Sequence, residues 1–307
     1  ADDTLPLIET ATQAAEVRAA LRWLKQQHLE LNIPLNEMVL VSQEITTYES
    51  YISQTAAEYG LPIRFVDGRP LSQNPAIDAL LTLLKLFLPL SEEDSDPQIG
   101  YQQLEQVWSS PYFSWAQAIG LDPQHIRGLA RAAVARQITG RQSRWEKQLP
   151  LWGASENGQP EIAEKFAAFI NLINCPPQAT MRTYVIWLER LIGPTMGQPE
   201  ANSLNIALQA GQNRPTAGRD LAALQTLKDV LRELLQSSEL LHSPQLDYTE
   251  FLTDLLGIID TTRYKLPAVA EAITITSVIQ ARGLSFDAAA LLGLAEGIFP
   301  ATISEDP

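Results

Sequence analysis

A single cysteine, Cys175, stands in 307 residues. No internal disulfide can form, and a lone thiol fits a reducing, cytoplasmic setting. Histidine is as scarce: His28, His125 and His242 lie far apart and without cysteine partners, which argues against a zinc site. Cations are outnumbered, 22 Lys and Arg against 36 Asp and Glu, for a net charge of −14. That balance excludes a protein that binds nucleic acid through its whole surface, because neutralising phosphates takes clustered Lys and Arg. A local basic site stays open. Long apolar runs are missing too. The greasiest stretch, "AIDALLTLLKLFLPL", is broken by Asp78 and Lys85 and is shorter than the ~20 residues of a membrane span. The opening "ADDTLPLIET" is acidic and polar, so it is not a signal peptide, and no membrane partner is expected. Short repeats and low-complexity tracts are absent.

What is present is a change of periodicity along the chain. Hydrophobic residues make up 45%, enough for a sizeable core. "LPLIETA" reads as a short β-like run. From Ala14 to about His28, Val17, Leu21 and Leu24 share one helical face. "MVLVS" (38–42) suits a buried parallel strand. A helix from about Thr47 to Tyr59, closed by Gly60, and a strand in "LPIRFVDG" follow. Strand and helix in alternation predict a parallel α/β sheet. Asn74 can then cap a helix with Pro75 at its first position. From there to about residue 265 the pattern is helical. "EIAEKFAAFINLIN", "ATMRTYVIWLERLIG" and "RDLAALQTLKDVLRELLQ" space large apolar residues three and four apart, and Asp220 is placed to cap the last of them. The β signal returns in "AITITSVIQ", turns at "ARGLSF", and continues in the apolar "AAALLGLA". The spacing predicts a first α/β part at 1–74, a helical insertion at 75–265 and a second α/β part at 266–307.

The segment "SVIQARGLSFDAAALLGLAEGIFP" resembles motif V of the UvrD/Rep-type superfamily 1 DNA helicases, written T-x-H-x-x-K-G-L-E-F before an apolar strand and E-G-x-F-P. Ser277 takes the Thr position, Ile279 the His, Arg282 the Lys and Ser285 the Glu, while Gly283 and Leu284 match outright. "MVLVSQEITTYESYISQTAAEYGLPIRFVDGRPLSQNPAIDALLTLLKLF" is similar to the segment around motif IV. The resemblance spans roughly residues 1–90 and 265–307 and is closest to the helicase-nuclease subunits of the AddB kind and their RecB-like relatives, which carry a PD-(D/E)xK nuclease. It implies a RecA-like, P-loop NTPase-like second domain split by a helical insertion. It also implies a piece of a longer protein that works in double-strand break repair and recombination, whose parent could use ATP and Mg. The absence of Met at position 1 agrees. Two positions depart from the family: Ser42 stands where motif IV has a phosphate-reaching Arg, and Ser285 where motif V has a nucleotide-facing Glu.

The chain itself holds no G-x-x-x-x-G-K-[ST] loop to cradle phosphates. No arrangement like a PD-(D/E)xK site stands out either, so no catalytic residue and no bound cofactor or metal are expected of it. Arg282-Gly283 is a candidate DNA contact, since Gly lets the backbone approach closely and Arg offers a bidentate donor; the plain alternative is a tight, solvated turn. Glu296, Gly297, Phe299 and Pro300 read as structural. The richest cationic stretch, "HIRGLARAAVARQITGRQSRWEKQLP", holds Arg127, Arg131, Arg136, Arg141, Arg144 and Lys147 against one acid, Glu146. Arg127 and Arg131 share a helix face, and Trp145 is placed to stack on a base. The competing reading is a solvated face paired with acids from elsewhere. Trp23 and Trp187 fall on core stripes. Two functions remain in play: a DNA-handling module, or a scaffold that docks a catalytic helicase or nuclease partner and ignores DNA.

Overall fold

The computed structural model describes residues 6–89, 96–194, 197–200, 203–212, 216–240, 245–266 and 270–294. The chain divides into two compact units, Ala1–Arg69 with Lys265–Pro307, and Pro70–Tyr264.

The first unit is built on four parallel strands, β1 (Met38–Ser42), β2 (Ile63–Phe65), β3 (Ile273–Ser277) and β4 (Ala288–Leu292), in the order β2-β3-β1-β4. Strands from the two ends of the sequence are therefore neighbours: Val39 pairs with Thr274 and Ser42 with Ser277, while β4 runs along the other edge of β1. Helices α1 (Gln13–Leu31) and α2 (Ile45–Tyr59) cover one face. Val17, Leu21 and Leu24 from α1 and Ile52 and Ala56 from α2 pack on Met38, Leu40, Ile273, Ile275, Ala288 and Leu292. Every residue of β1 is buried, as a strand covered on both faces requires. Gly60 ends α2 at φ 65°, a left-handed position that glycine adopts without penalty. Glu16 of α1 ties the layers together, since its carboxylate accepts the Tyr48 hydroxyl at 3.0 Å and the Gly293 N–H at 2.6 Å. Residues 6–12 form no strand. Leu7 and Ile8 face solvent, and a short apolar run gains nothing from extension without a neighbour to pair with.

The second unit is helical: α3 (Pro75–Lys85), α4 (Tyr101–Ser109), α5 (Trp115–Ile119), α6 (Pro123–Ala135), α7 (Gln142–Gly153), α8 (Glu161–Ile173), α9 (Met181–Ile192), α10 (Ile206–Gln212), α11 (Ala217–Leu240) and α12 (Tyr248–Thr261). Asn74 caps α3 with Pro75 in the first turn, its side chain accepting from the Ala76 and Ile77 N–H groups. Large aromatics fill the core. Phe169 meets Phe87, Trp108, Trp115 and Phe166, and Tyr184 stacks on Phe251 at 4.4 Å. Most of their polar ends are satisfied by backbone carbonyls: the Trp115, Trp145 and Trp187 indoles donate to Val107, Ile99 and Ile173, and Tyr248 donates to Leu84, while the buried Trp108 indole N–H has no partner among the described residues. Buried indole and phenol groups need such partners. Asp220 does not cap α11. It lies inside the first turn at 0% exposure, drawn inward by other partners.

Candidate nucleic-acid interface

The cationic stretch folds as α6, a turn and α7. Asp122 starts α6 with a capping box: its carboxylate accepts the Gln124 and His125 N–H groups, and His125 Nδ1 accepts the Asp122 N–H. The backbone N–H of His125 holds the Asp122 carboxyl below its ordinary value. His125 Nε2 lies 3.0 Å from Glu161 of α8. Gly128 lets α6 lie close on α8, since a Cβ there would collide with Gln159 and Ile162. Seating Gly128, Leu129, Ala132 and Ala133 inward turns Arg127 and Arg131 outward. On α7, Arg144 and Lys147 are exposed in the same way. No acid pairs with these four cations among the described residues. Glu146, the one acid of the stretch, instead accepts from Gln142 at 2.7 Å. The other two cations are occupied: Arg136 donates to the Leu151 carbonyl at 2.8 Å, and Arg141, at φ 62° before α7, is also engaged.

Trp145 corrects the expectation made for it. Its side chain is 0% exposed, its indole donates to Ile99 and its ring stacks on Phe166, so it cannot meet a base without unpacking the core. Helical periodicity around it (Trp145, Leu149, Trp152) carries that signal.

In the first unit the connections from β1 and β3 leave in opposite directions. From β1 the chain crosses to β2, beyond β3; from β3 it crosses to β4, beyond β1. Both connections start at the carboxyl ends of these two neighbouring strands, the edge at which open α/β sheets bind ligands. Ser42 and Ser277 sit there as register partners. Both hydroxyls are used locally. Ser42 Oγ accepts the Glu44 N–H at 3.3 Å, and Ser277 caps the short helix α13 (Val278–Ala281) by accepting from Gln280. Arg282 (φ −61°, ψ 125°) and Gly283 (φ 81°) then form a turn of type II shape, closed by the Leu284 N–H on the Ala281 carbonyl. Arg282 and Gly283 are exposed, with Ile279 and Leu284 beside them, and a Cβ at Gly283 would meet nothing within 4 Å. Ser285 is exposed. The positions Ser42 and Ser285, where the resembling helicase motifs have an Arg and a Glu, supply neither a cation nor a carboxylate. Glu296, Gly297, Phe299 and Pro300 lie outside the described residues.

Sequence reasoning missed a buried polar hub in the helical unit. Asp220 accepts from Arg219 Nε at 2.8 Å, Asn74 Nδ2 at 3.1 Å and the Tyr112 hydroxyl at 3.0 Å, while Asn74 also donates to Tyr264. Burial would raise the Asp220 carboxyl, but the hydrogen bonds from Arg219, Thr216 and Tyr112 outweigh it and hold it below its ordinary value. Burial, then the bond to Asp220, push the Tyr112 phenol up. The Cys175 thiol is raised by burial, the opposite of a reactive thiolate. Among the described residues no group of three or more His, Cys, Asp or Glu could hold a metal ion, and no helix is long and apolar enough to cross a membrane.

These features define a mixed α/β protein: a four-stranded parallel sheet assembled from both ends of the chain, and a helical unit whose α6 and α7 carry four exposed cations. No family profile matches the chain. It is similar to a subunit of the ATP-dependent helicase/deoxyribonuclease of Moorella thermoacetica, 23% identical over 324 aligned positions that cover 98% of this chain and 26% of that protein. The chain thus spans about a quarter of that relative's length. The likeness supports a relationship to helicase-nuclease subunits.

Proposed function

We propose that this chain is a DNA-handling segment of an AddB-like helicase-nuclease subunit acting in double-strand break repair, and that it holds or guides DNA without catalysing a step itself. In this reading the sheet is a RecA-like second domain, with the helical unit inserted between β2 and β3, and a partner subunit supplies chemistry the chain lacks. The observation that carries the reading is the set of four exposed cations, Arg127, Arg131, Arg144 and Lys147, that no acid neutralises among the described residues of a protein with a net charge of −14. Exposed cations without acidic partners on two adjoining helices of an acidic protein support this reading, since a local phosphate-binding face requires them. Arg282, exposed at the carboxyl edge of the sheet, is a second contact. A nucleotide is no part of the proposal, because Ser42 and Ser285 offer it neither a cation nor a carboxylate; ATP and Mg would act elsewhere in the parent.

The second reading, a scaffold that docks a catalytic partner, draws on Val134 and Leu151, two exposed aliphatic residues on the same helices, and on the overall acidity. Fluorescence anisotropy with a forked DNA separates the two. The DNA reading expects binding at low salt that drops at least about tenfold when Arg127, Arg131, Arg144 and Lys147 are changed to Ala. Equal anisotropy for both proteins, or no binding by either, sinks it in favour of the scaffold.

A further inference from the structure

The type II turn that presents Arg282 has little of its own to hold it: α13 has no buried residue, and Ile279, 86% exposed, anchors nothing. One side chain fixes it. Gln280 Oε1 accepts the Thr276 hydroxyl at 2.9 Å and lies 3.5 Å from the Ser277 N–H. Its Nε2 donates to Asp67, 213 residues away in sequence, in the turn that leaves β2. The backbone N–H of Gln280 meanwhile donates to Ser277 Oγ at 3.4 Å, completing a capping box. A single amide therefore grips the end of β3 with its oxygen and the exit of β2 with its nitrogen. The acceptor on β2 is a carboxylate, which makes that bond the stronger one.

From this geometry we infer that Gln280 is a positioning residue: with Asp67 it latches the crossover to the carboxyl edge of the sheet and so sets where Arg282 and Gly283 stand. The inference rests on the DNA reading only for its consequence in binding; the latch itself is independent of any ligand. Glutamine suits the role because its amide offers a donor and an acceptor at once. A charged residue at 280 would satisfy one end and oppose the other.

The test uses the 307-residue chain and two readouts. Limited trypsin digestion, followed by mass spectrometry at the Arg282–Gly283 bond, reports the latch without DNA. Gln280→Ala raises the cleavage rate there about fivefold, the equivalent of one lost hydrogen bond, while the thermal midpoint stays put. Asp67→Ala, which removes the same bond from the other side, reproduces the effect. Anisotropy on forked DNA then runs as a double-mutant cycle. Gln280→Ala weakens binding, Arg282→Ala weakens it as much or more, and the double variant is no worse than Arg282→Ala alone. Unchanged cleavage in both latch variants overturns the inference, as do losses in DNA affinity that simply add. Faster cleavage with no effect of Arg282→Ala on DNA keeps the latch and overturns Arg282 as a DNA contact.

Discussion

The indole of Trp145 stacks on the ring of Phe166, centroids 5.9 Å apart and planes 28° apart. That contact joins α7 to α8, so the aromatic within the cationic stretch belongs to the core of the helical unit. Trp145→Ala is expected to cost about 3–5 kcal/mol of folding stability, measured by urea denaturation. Trp145→Phe, which keeps most of the volume, should retain DNA affinity. A selective loss of binding by the folded Phe variant would contradict the buried role.

The Asp220 hub predicts an acid-sensitive helical unit. A carboxyl held below its ordinary value of 3.8 contributes stability in full above that pH and loses it as the pH falls through the lower, folded value. Asp220→Asn should therefore be less stable near neutrality, by about 2 kcal/mol, and flatter below pH 4. Denaturation of both proteins across pH 2–7 checks this, and parallel curves would dismiss the hub as a source of acid sensitivity.

At Gly283 the strain is conformational alone. The φ of 81° disfavours any side chain, yet a Cβ would touch nothing. Gly283→Ala should lower stability by about 1 kcal/mol in a denaturant titration, without perturbing the helical unit. A much larger loss would mean that the turn is packed in solution.

The carboxyl edge of the sheet at Ser42 and Ser277 is expected to ignore nucleotide. Their hydroxyls serve local N–H groups, and Ser42 is 1% exposed. Titration with a fluorescent ATP analogue and Mg should give no saturable signal from this chain. Saturable binding lost in Arg282→Ala would instead assign the turn to phosphate.

Much of the sheet is legible in the sequence. "MVLVS" reads as a strand because five consecutive residues are buried on both faces, and Asn74-Pro75 reads as a helix start because cap and first turn are local chemistry. Where the answer depends on distant partners, the reading fails. Asp220 looks like a cap, but Asn74 and Tyr112, more than 100 residues away, draw it inward. Trp145 sits among arginines in sequence while its own helical face points to Phe166. Gln280 carries a visible clue, the Ser-x-x-Gln capping box, but its partner Asp67 is out of reach of any local pattern. The exposed cations are legible because six charges against one acid is a compositional signal; which four stay free depends on tertiary contacts of Arg136 and Arg141.

The most direct test of the DNA-handling reading is the salt dependence of forked-DNA binding, taken for the chain and for the variant with Arg127, Arg131, Arg144 and Lys147 changed to Ala. If four phosphates are neutralised by these side chains, the slope of log affinity against log salt should become shallower by about 3 in the variant. An unchanged slope would place the phosphate contacts elsewhere and contradict the account.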